Sequence, residues 1–346
     1  MTLLLNFRPV LRQPTGIGVY ANAVLPALQE LTHVLLPGGE EGTAKQRLKR
    51  LLWTQLELPR SANRHKASLI FTPAPEGYLG QQTIPQVVMV HDLRPLSHPE
   101  RTVQSLYFRS WVPPLLKSCR HVLTNSEFTA REIQRSTGLA DSHITVTPLG
   151  YDDQTFKPGL LRADSQKWPY LLHVGQAYPH KNLRRVIQAF ALVARVYTDL
   201  RLVLAGKPHP TETPVLHAMV RELGLQQRVE FRSYVPYAEL PDLYQGALAF
   251  LYPSLWEGFG LPILEAMACG IPVITSSGSG TEEVAGDAAI LVDPQNISTL
   301  VDALRQLMEH PEQASRLRLR GLERARQYSW SHTAAVTRAV VTQQLG

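Results

Sequence analysis

Cysteine is scarce in this chain of 346 residues, with only Cys119 and Cys269. The two stand in different halves and lack any metal-ligand spacing. That excludes a disulfide framework or a zinc ribbon and reads as two small buried hydrophobes in a reducing cytoplasm. Long apolar runs are missing too, and no stretch approaches the ~18 apolar residues that a membrane-spanning helix needs. The opening MTLLLNFRPV has no basic leader, so it reads as a first strand and not as a signal peptide. No Gly-x-Gly-x-x-Gly opens a strand-to-helix turn in either half, which disfavours a dehydrogenase. The chain also has no zinc-finger spacing, no basic-aromatic ribonucleoprotein motif and no helix-turn-helix. The net charge of +6 is therefore not read as the mark of a nucleic-acid partner.

The chain does have enough length for two domains of roughly 150 to 200 residues. Its hydrophobic content of 44% and mean hydropathy of −0.12 fit a soluble globular protein. The positive charge is concentrated. Residues 42–66 hold seven Lys or Arg against one Glu, a local net of +6. Within them Leu48, Leu51, Leu52 and Leu56 recur at helical spacing, interleaved with Lys45, Arg47, Lys49 and Arg50, with Trp53 off the stripe. Two readings stay open for residues 45–58: an ordinary amphipathic surface helix, or a contact for an anionic acceptor or membrane surface.

One run organises the rest. Residues 254–280 read SLWEGFGLPILEAMACGIPVITSSGSG. An apolar strand over 247–251 precedes them, a loop with Gly258 and Gly260 follows, and Pro262 suits the first position of a helix that Gly270 closes as a left-handed cap. Glycines before a helix start let backbone N–H groups approach a phosphate, with the positive end of the helix dipole behind them. Two carboxylates bracket this cradle, Glu257 in the loop and Glu265 in the first helical turn. A carboxylate is no ligand for a phosphate but accepts from hydroxyls. Phosphates and hydroxyls together describe a nucleotide sugar.

Glu-Gly-Phe-Gly with a second Glu eight positions on resembles the E-x7-E signature of family 4 glycosyltransferases. The resemblance implies a retaining enzyme of the GT-B architecture: α/β, two Rossmann-like domains facing each other across a cleft. It places Glu265 on the ribose hydroxyls, Glu257 on the transferred sugar, and the backbone around Gly258, Phe259, Gly260 and Leu261 on the phosphates. "LLHVGQAYPHKN" is similar to the family's phosphate segment. Gly175 makes the turn there and Lys181 stands before a helix, misplaced against the dipole unless an anion is present. The family's usual Arg is replaced by His180 and a second by Gln176, so the phosphate role passes to Lys181 alone. "RVEFRSYVPYAEL" resembles the segment whose backbone near Tyr234 and Val235 recognises the base. In the first half, Gly16 and Gly18 stand just before a helix and resemble the pair that lies against the donor diphosphate. His91, at the end of the strand over 86–90, resembles the residue beside the transferred sugar. Ser126 reads as a helix N-cap.

The second half alternates strand and helix at the spacing of a parallel, doubly wound sheet. The expected domains are an acceptor-binding one over 1–157, a nucleotide-sugar-binding one over 158–330, and a last helix over 331–346 crossing back to the first. The expected activity is hexosyl transfer, with mannose first and glucose next, from a donor of GDP-mannose or UDP-glucose type to a glycan or lipid-linked acceptor hydroxyl. Catalytic roles fall to His91, Lys181 and Glu257. The resemblance implies that no cofactor or metal is needed, and no Asp-x-Asp stands beside the phosphate motifs. The location expected is cytoplasmic, peripheral at the inner membrane face if 45–58 touches lipid. The rival readings are an epimerase or sugar-phosphate synthase of the same fold, and a non-catalytic basic lipid-binding protein.

Overall fold

The computed structural model describes residues 1–11, 16–38, 44–80, 83–97, 103–159 and 168–346. The chain divides into two compact units, Met1–Gly150 with Trp330–Gly346, and Tyr151–Ser329.

The first unit runs β1 (Leu3–Asn6), α1 (Gly16–Gln29), β2 (Thr32–Leu36), α2 (Ala44–Arg64), β3 (Leu69–Thr72), β4 (Gln86–Val90), α3 (Arg94–Ser97), α4 (Val103–Ser110), α5 (Val112–Ser118), β5 (His121–Thr124), α6 (Glu127–Thr137) and β6 (Ile144–Val146). Its strands form one sheet in the order β2-β1-β3-β4-β5-β6, paired in parallel. β1, β3, β4 and β5 are buried at every residue. That accounts for apolar runs without alternation, as strands covered on both faces require.

The second unit runs β7 (Tyr170–Val174), α7 (Leu183–Val193), β8 (Arg201–Ala205), α8 (Glu212–Glu222), β9 (Val229–Arg232), α9 (Leu240–Gln245), β10 (Ala249–Tyr252), α10 (Leu261–Ala268), β11 (Val273–Ser276), α11 (Gly280–Ala285), β12 (Ala289–Val292), α12 (Ile297–Glu309) and α13 (Pro311–Ala325). Its parallel order is β12-β11-β10-β7-β8-β9. Here the alternation expected from the sequence holds element by element. The strand order reverses between β7 and β10, and loops leaving a sheet at such a point form the natural ligand crevice.

The units part at Gly150, where the sequence reading put the boundary at 157. The reason is Phe156, whose ring packs edge-on against Tyr237 at 5.4 Å and Tyr244 at 5.9 Å, so that 151–157 belongs to the second core. The final helix α14 (Trp330–Leu345) is part of the first unit. Tyr20 on α1 and Thr337 on α14 share a buried hydrogen bond at 3.0 Å.

Three expectations change. Gly16 opens α1 and Gly18 lies buried inside it, so the pair does not precede the helix. Residues 12–15, where the preceding loop falls, lie outside the described residues, as does most of the expected linker at 160–167. The leucines of α2 do not share one face. Leu51, Thr54, Leu58 and Ala62 are buried, while Leu48, Leu52 and Leu56 are exposed. Finally, α10 begins at Leu261, one residue before Pro262, which carries Glu265 past the first turn.

Candidate active site

Because β7 and β10 are neighbours, with Ala249 opposite Leu171 and Phe250 opposite Leu172, the loops leaving them run side by side. The Leu255 N–H donates to the His180 carbonyl at 2.8 Å. Asn182, held at a left-handed φ of 62°, donates its side-chain amide to the carbonyls of Pro253 (3.0 Å) and Pro294 (2.7 Å). Those bonds fix the turn carrying Lys181 against the loop carrying Glu257.

Lys181 Nζ donates to Glu257 Oε1 at 2.6 Å and to the Tyr252 hydroxyl at 2.6 Å. Burial works against the charge on Lys181, but the Glu257 carboxylate and the Tyr252 hydroxyl outweigh it and hold its pKa above the ordinary value. Burial likewise opposes the Glu257 charge, and Lys181 and His180 overcome it, so that carboxyl titrates below its usual range. The pair is ionised, and the misplaced lysine of the sequence has its anion: Glu257.

Gly260, with φ at 121°, turns the chain into α10, and no side chain caps that helix start. Its amide end is thus left to backbone and ligand. Gly280 opens α11 with its N–H on the Glu257 carbonyl at 2.9 Å. A Cβ there would stand 2.2 Å from the Gly258 carbonyl oxygen, so the close approach requires glycine. Phe259 turns inward and packs edge-on against Tyr328 at 5.9 Å, leaving only its backbone to the loop. Leu261 is half-buried.

Glu265 Oε2 accepts from the Tyr244 hydroxyl at 2.9 Å. Burial raises its pKa to about 7, against the lowering effect of that hydrogen bond. Beyond β7, β8 and β9 lies a cavity of about 330 Å³ whose lining includes His173, Gly175, Gly206, Phe231, Arg232 and Ser233. Tyr234, next in sequence, is 80% exposed and Val235 half-buried. Lys181 and Glu257, with Gly258 and Gly260 following in the same loop, thus lie together in the second unit, while Glu265 stands inside α10 against Tyr244. Among the described residues no group of three or more His, Cys, Asp or Glu is placed to hold a metal ion.

Gly16, Gly18 and His91 belong to the first unit. His91 follows β4 and sets Nε2 against the Pro73 carbonyl at 3.1 Å, which assigns the proton to Nε2 and leaves Nδ1 an acceptor. Burial lowers its pKa to about 4, so the ring is neutral near pH 7. The Asn125 side chain donates to the His91 carbonyl at 3.0 Å, and the Tyr20 ring meets the imidazole edge-on at 5.2 Å. Tyr252, Tyr244 and Asn125 are the residues that sequence reading passed over. Each acts through a tertiary contact, and the one local signal was that Tyr252 and Asn125 sit at strand ends.

The model for glycosyl transferases group 1 matches residues 162–324, and that for glycosyltransferase family 4 matches residues 16–155. O-antigen chain mannosyltransferase B of Escherichia coli is 32% identical over 76% of this chain and 71% of its own length. The chain belongs to the group 1, family 4 glycosyltransferases. The O-antigen chain mannosyltransferase RfbU of Salmonella typhimurium is also 32% identical, over 67% of this chain and 63% of its own length. Among solved structures, Anabaena HepE in complex with UDP and glucose superposes with a TM-score of 0.79 over 99% of both chains at 17% identity, a likeness of GT-B fold alone. This family member is therefore a glycosyltransferase. Among its described residues no helix is long and apolar enough to cross a membrane.

Proposed function

We propose that this glycosyltransferase moves a mannosyl group, with retention at the anomeric carbon, from a nucleotide diphosphate sugar of GDP-mannose type to a hydroxyl of a glycan or lipid-linked acceptor. UDP-glucose is the next donor to test. The observation that carries the donor reading is the convergence of Lys181 and Glu257 beside the uncapped start of α10. A cation and helix amides suit a diphosphate, and a carboxylate suits the sugar hydroxyls.

In this reading Glu265 accepts from the ribose hydroxyls and the base takes the cavity beside Ser233 to Val235. Within the first unit, His91 at the end of β4 and Gly16 at the start of α1 remain the candidate donor contacts, and Gly18, buried inside α1, supports that helix. As the bond from sugar to phosphate breaks, the leaving diphosphate gains charge and takes the acceptor's hydroxyl proton, while the acceptor oxygen bonds the anomeric carbon on the same face. Lys181 and the backbone amides stabilise that charge in place of a metal ion. The mannosyl assignment draws on the two relatives named above. Exposed leucines and the basic sequence of α2 support a lipid-linked acceptor met at an anionic membrane surface.

Thermal shift with GDP and UDP, followed by turnover of GDP-mannose and UDP-glucose, tests the reading. A nucleotide that binds only the native protein raises its stability in proportion to RT ln(1 + [L]/Kd). No shift with either nucleotide would sink it.

A further inference from the structure

We propose that the Tyr252 hydroxyl is the positioning group that orients the Lys181 ammonium toward the donor diphosphate. The inference rests on the reading of Lys181 as a phosphate ligand and deepens it.

An ammonium has three N–H bonds. A lysine held by one partner still turns about that contact, but one held by two has the direction of its third N–H set by tetrahedral geometry. Lys181 is held by two, Tyr252 and Glu257, each at 2.6 Å. Lys181 donates to both, so the phenol oxygen accepts from the ammonium. Two of the three N–H bonds are thereby taken, and one N–H of the lysine is left over.

The phenol is itself fixed. Tyr252 ends β10 at 2% exposure. The His173 ring, one strand away on β7, stacks on it at 5.6 Å with an interplanar angle of 13°. His173 Nδ1 is locked to the Leu251 carbonyl at 2.9 Å. Sheet pairing thus holds His173, His173 holds the Tyr252 ring, and the Tyr252 hydroxyl holds Lys181. If Glu257 turns to a sugar hydroxyl when donor binds, Tyr252 is the anchor that stays.

The probes are GDP with guanosine and UDP with uridine, and the pair used is the one whose diphosphate binds the wild type more tightly. The ratio of nucleoside Kd to diphosphate Kd isolates what the protein gains from the phosphates. Lys181→Ala should lower that ratio at least tenfold, as loss of a charge-assisted bond does. Tyr252→Phe keeps the stacked ring, removes the hydroxyl and should lower the ratio by about fivefold, with nucleoside affinity unchanged. The double variant should be no worse than Lys181→Ala alone, because the hydroxyl acts through the lysine. Nucleoside affinity doubles as the check on folding, and Tyr252→Leu carries the same expectation if the phenylalanine variant fails to fold.

A Tyr252→Phe ratio equal to the wild type's overturns the proposal. So does an equal loss of nucleoside and diphosphate affinity, or a double variant whose loss is the product of the single ones. Failure of the donor-site reading has another signature: Lys181→Ala would keep the wild-type ratio, or neither diphosphate would bind the wild type.

Discussion

Lys181 Nζ and Glu257 Oε1, 76 residues apart in sequence, meet at 2.6 Å with their side chains 12% and 14% exposed. In the free chain the cation proposed for the phosphates is thus already neutralised by the carboxylate proposed for the sugar. On that proposal donor binding is an exchange of partners within one ion pair. Removing one member of a buried pair costs more than the pair contributes, because the other charge stays behind in a poor solvent.

Lys181→Ala should therefore lower stability by about 3 kcal/mol, read by chemical denaturation. Adding Glu257→Gln, which removes the stranded charge, should recover most of that loss while GDP-mannose turnover stays low. Recovery of turnover together with stability would show that Lys181 has a structural role only.

Glu265 gives a pH dependence whose sign can be worked out. Its carboxyl titrates at about 7 in the free protein because burial disfavours its charge. If the carboxylate accepts from the ribose hydroxyls, the bound form must be ionised. Affinity for GDP-mannose, whose phosphates do not titrate near neutrality, should then be weakest at pH 6 and rise toward a plateau above pH 8. The same raised pKa means that the folded chain holds a proton which the unfolded chain releases near pH 4.5. Stability from this group is thus full below the unfolded value and declines as pH rises through 7. Glu265→Gln should flatten the binding profile, as isothermal titration across pH would register; a slope surviving the substitution would assign it elsewhere.

Metal removal is a direct test of what carries the leaving-group charge. With Lys181 and the amides at the start of α10 in that role, turnover should be unchanged in excess EDTA. Activity lost on chelation and restored by Mg²⁺ or Mn²⁺ would reject it.

The second unit was legible in the sequence because punctuation and packing agree there. Gly260 and Gly270 both have positive φ, and they bracket the helix whose ends they mark. Glu257 was readable beside Gly258, Glu265 by its eight-residue spacing from Glu257, and Lys181 by its place before a helix start. Their pairing was not, since it depends on β7 lying beside β10, a fact of strand order with no trace in residue spacing. Tyr252 and His173 were passed over for the same reason. In the first unit β2 went unread because THVLL has no period to separate it from a helix end. On α2 the four leucines looked alike, and only the packing distinguishes Leu51, inside, from Leu48, Leu52 and Leu56, outside.

That division of α2 sharpens the membrane prediction. Leu48, Leu52 and Leu56 stand 50%, 51% and 57% exposed at successive turns, an apolar ridge that burial within the unit does not explain. Arg50 is not available to meet a lipid surface. Its guanidinium turns inward onto Glu76, at 3.1 Å and 2.6 Å, and Glu76 is buried, its pKa raised by burial even against that arginine. Arg50→Gln should therefore destabilise the fold, and it does not belong in a membrane test. Lys45→Gln, Arg47→Gln and Lys49→Gln together should abolish co-pelleting with phosphatidylglycerol vesicles, since each basic residue near an anionic surface adds about 1 kcal/mol. Leu48→Ser, Leu52→Ser and Leu56→Ser should weaken pelleting separately, by loss of apolar burial. Binding of GDP should be untouched in both variants, because the donor contacts proposed for the second unit are intact. Salt should reduce wild-type pelleting, as exposed charges are screened over ~8 Å at physiological ionic strength. A wild type that stays in the supernatant with anionic vesicles at low salt would leave the leucine ridge without a membrane role.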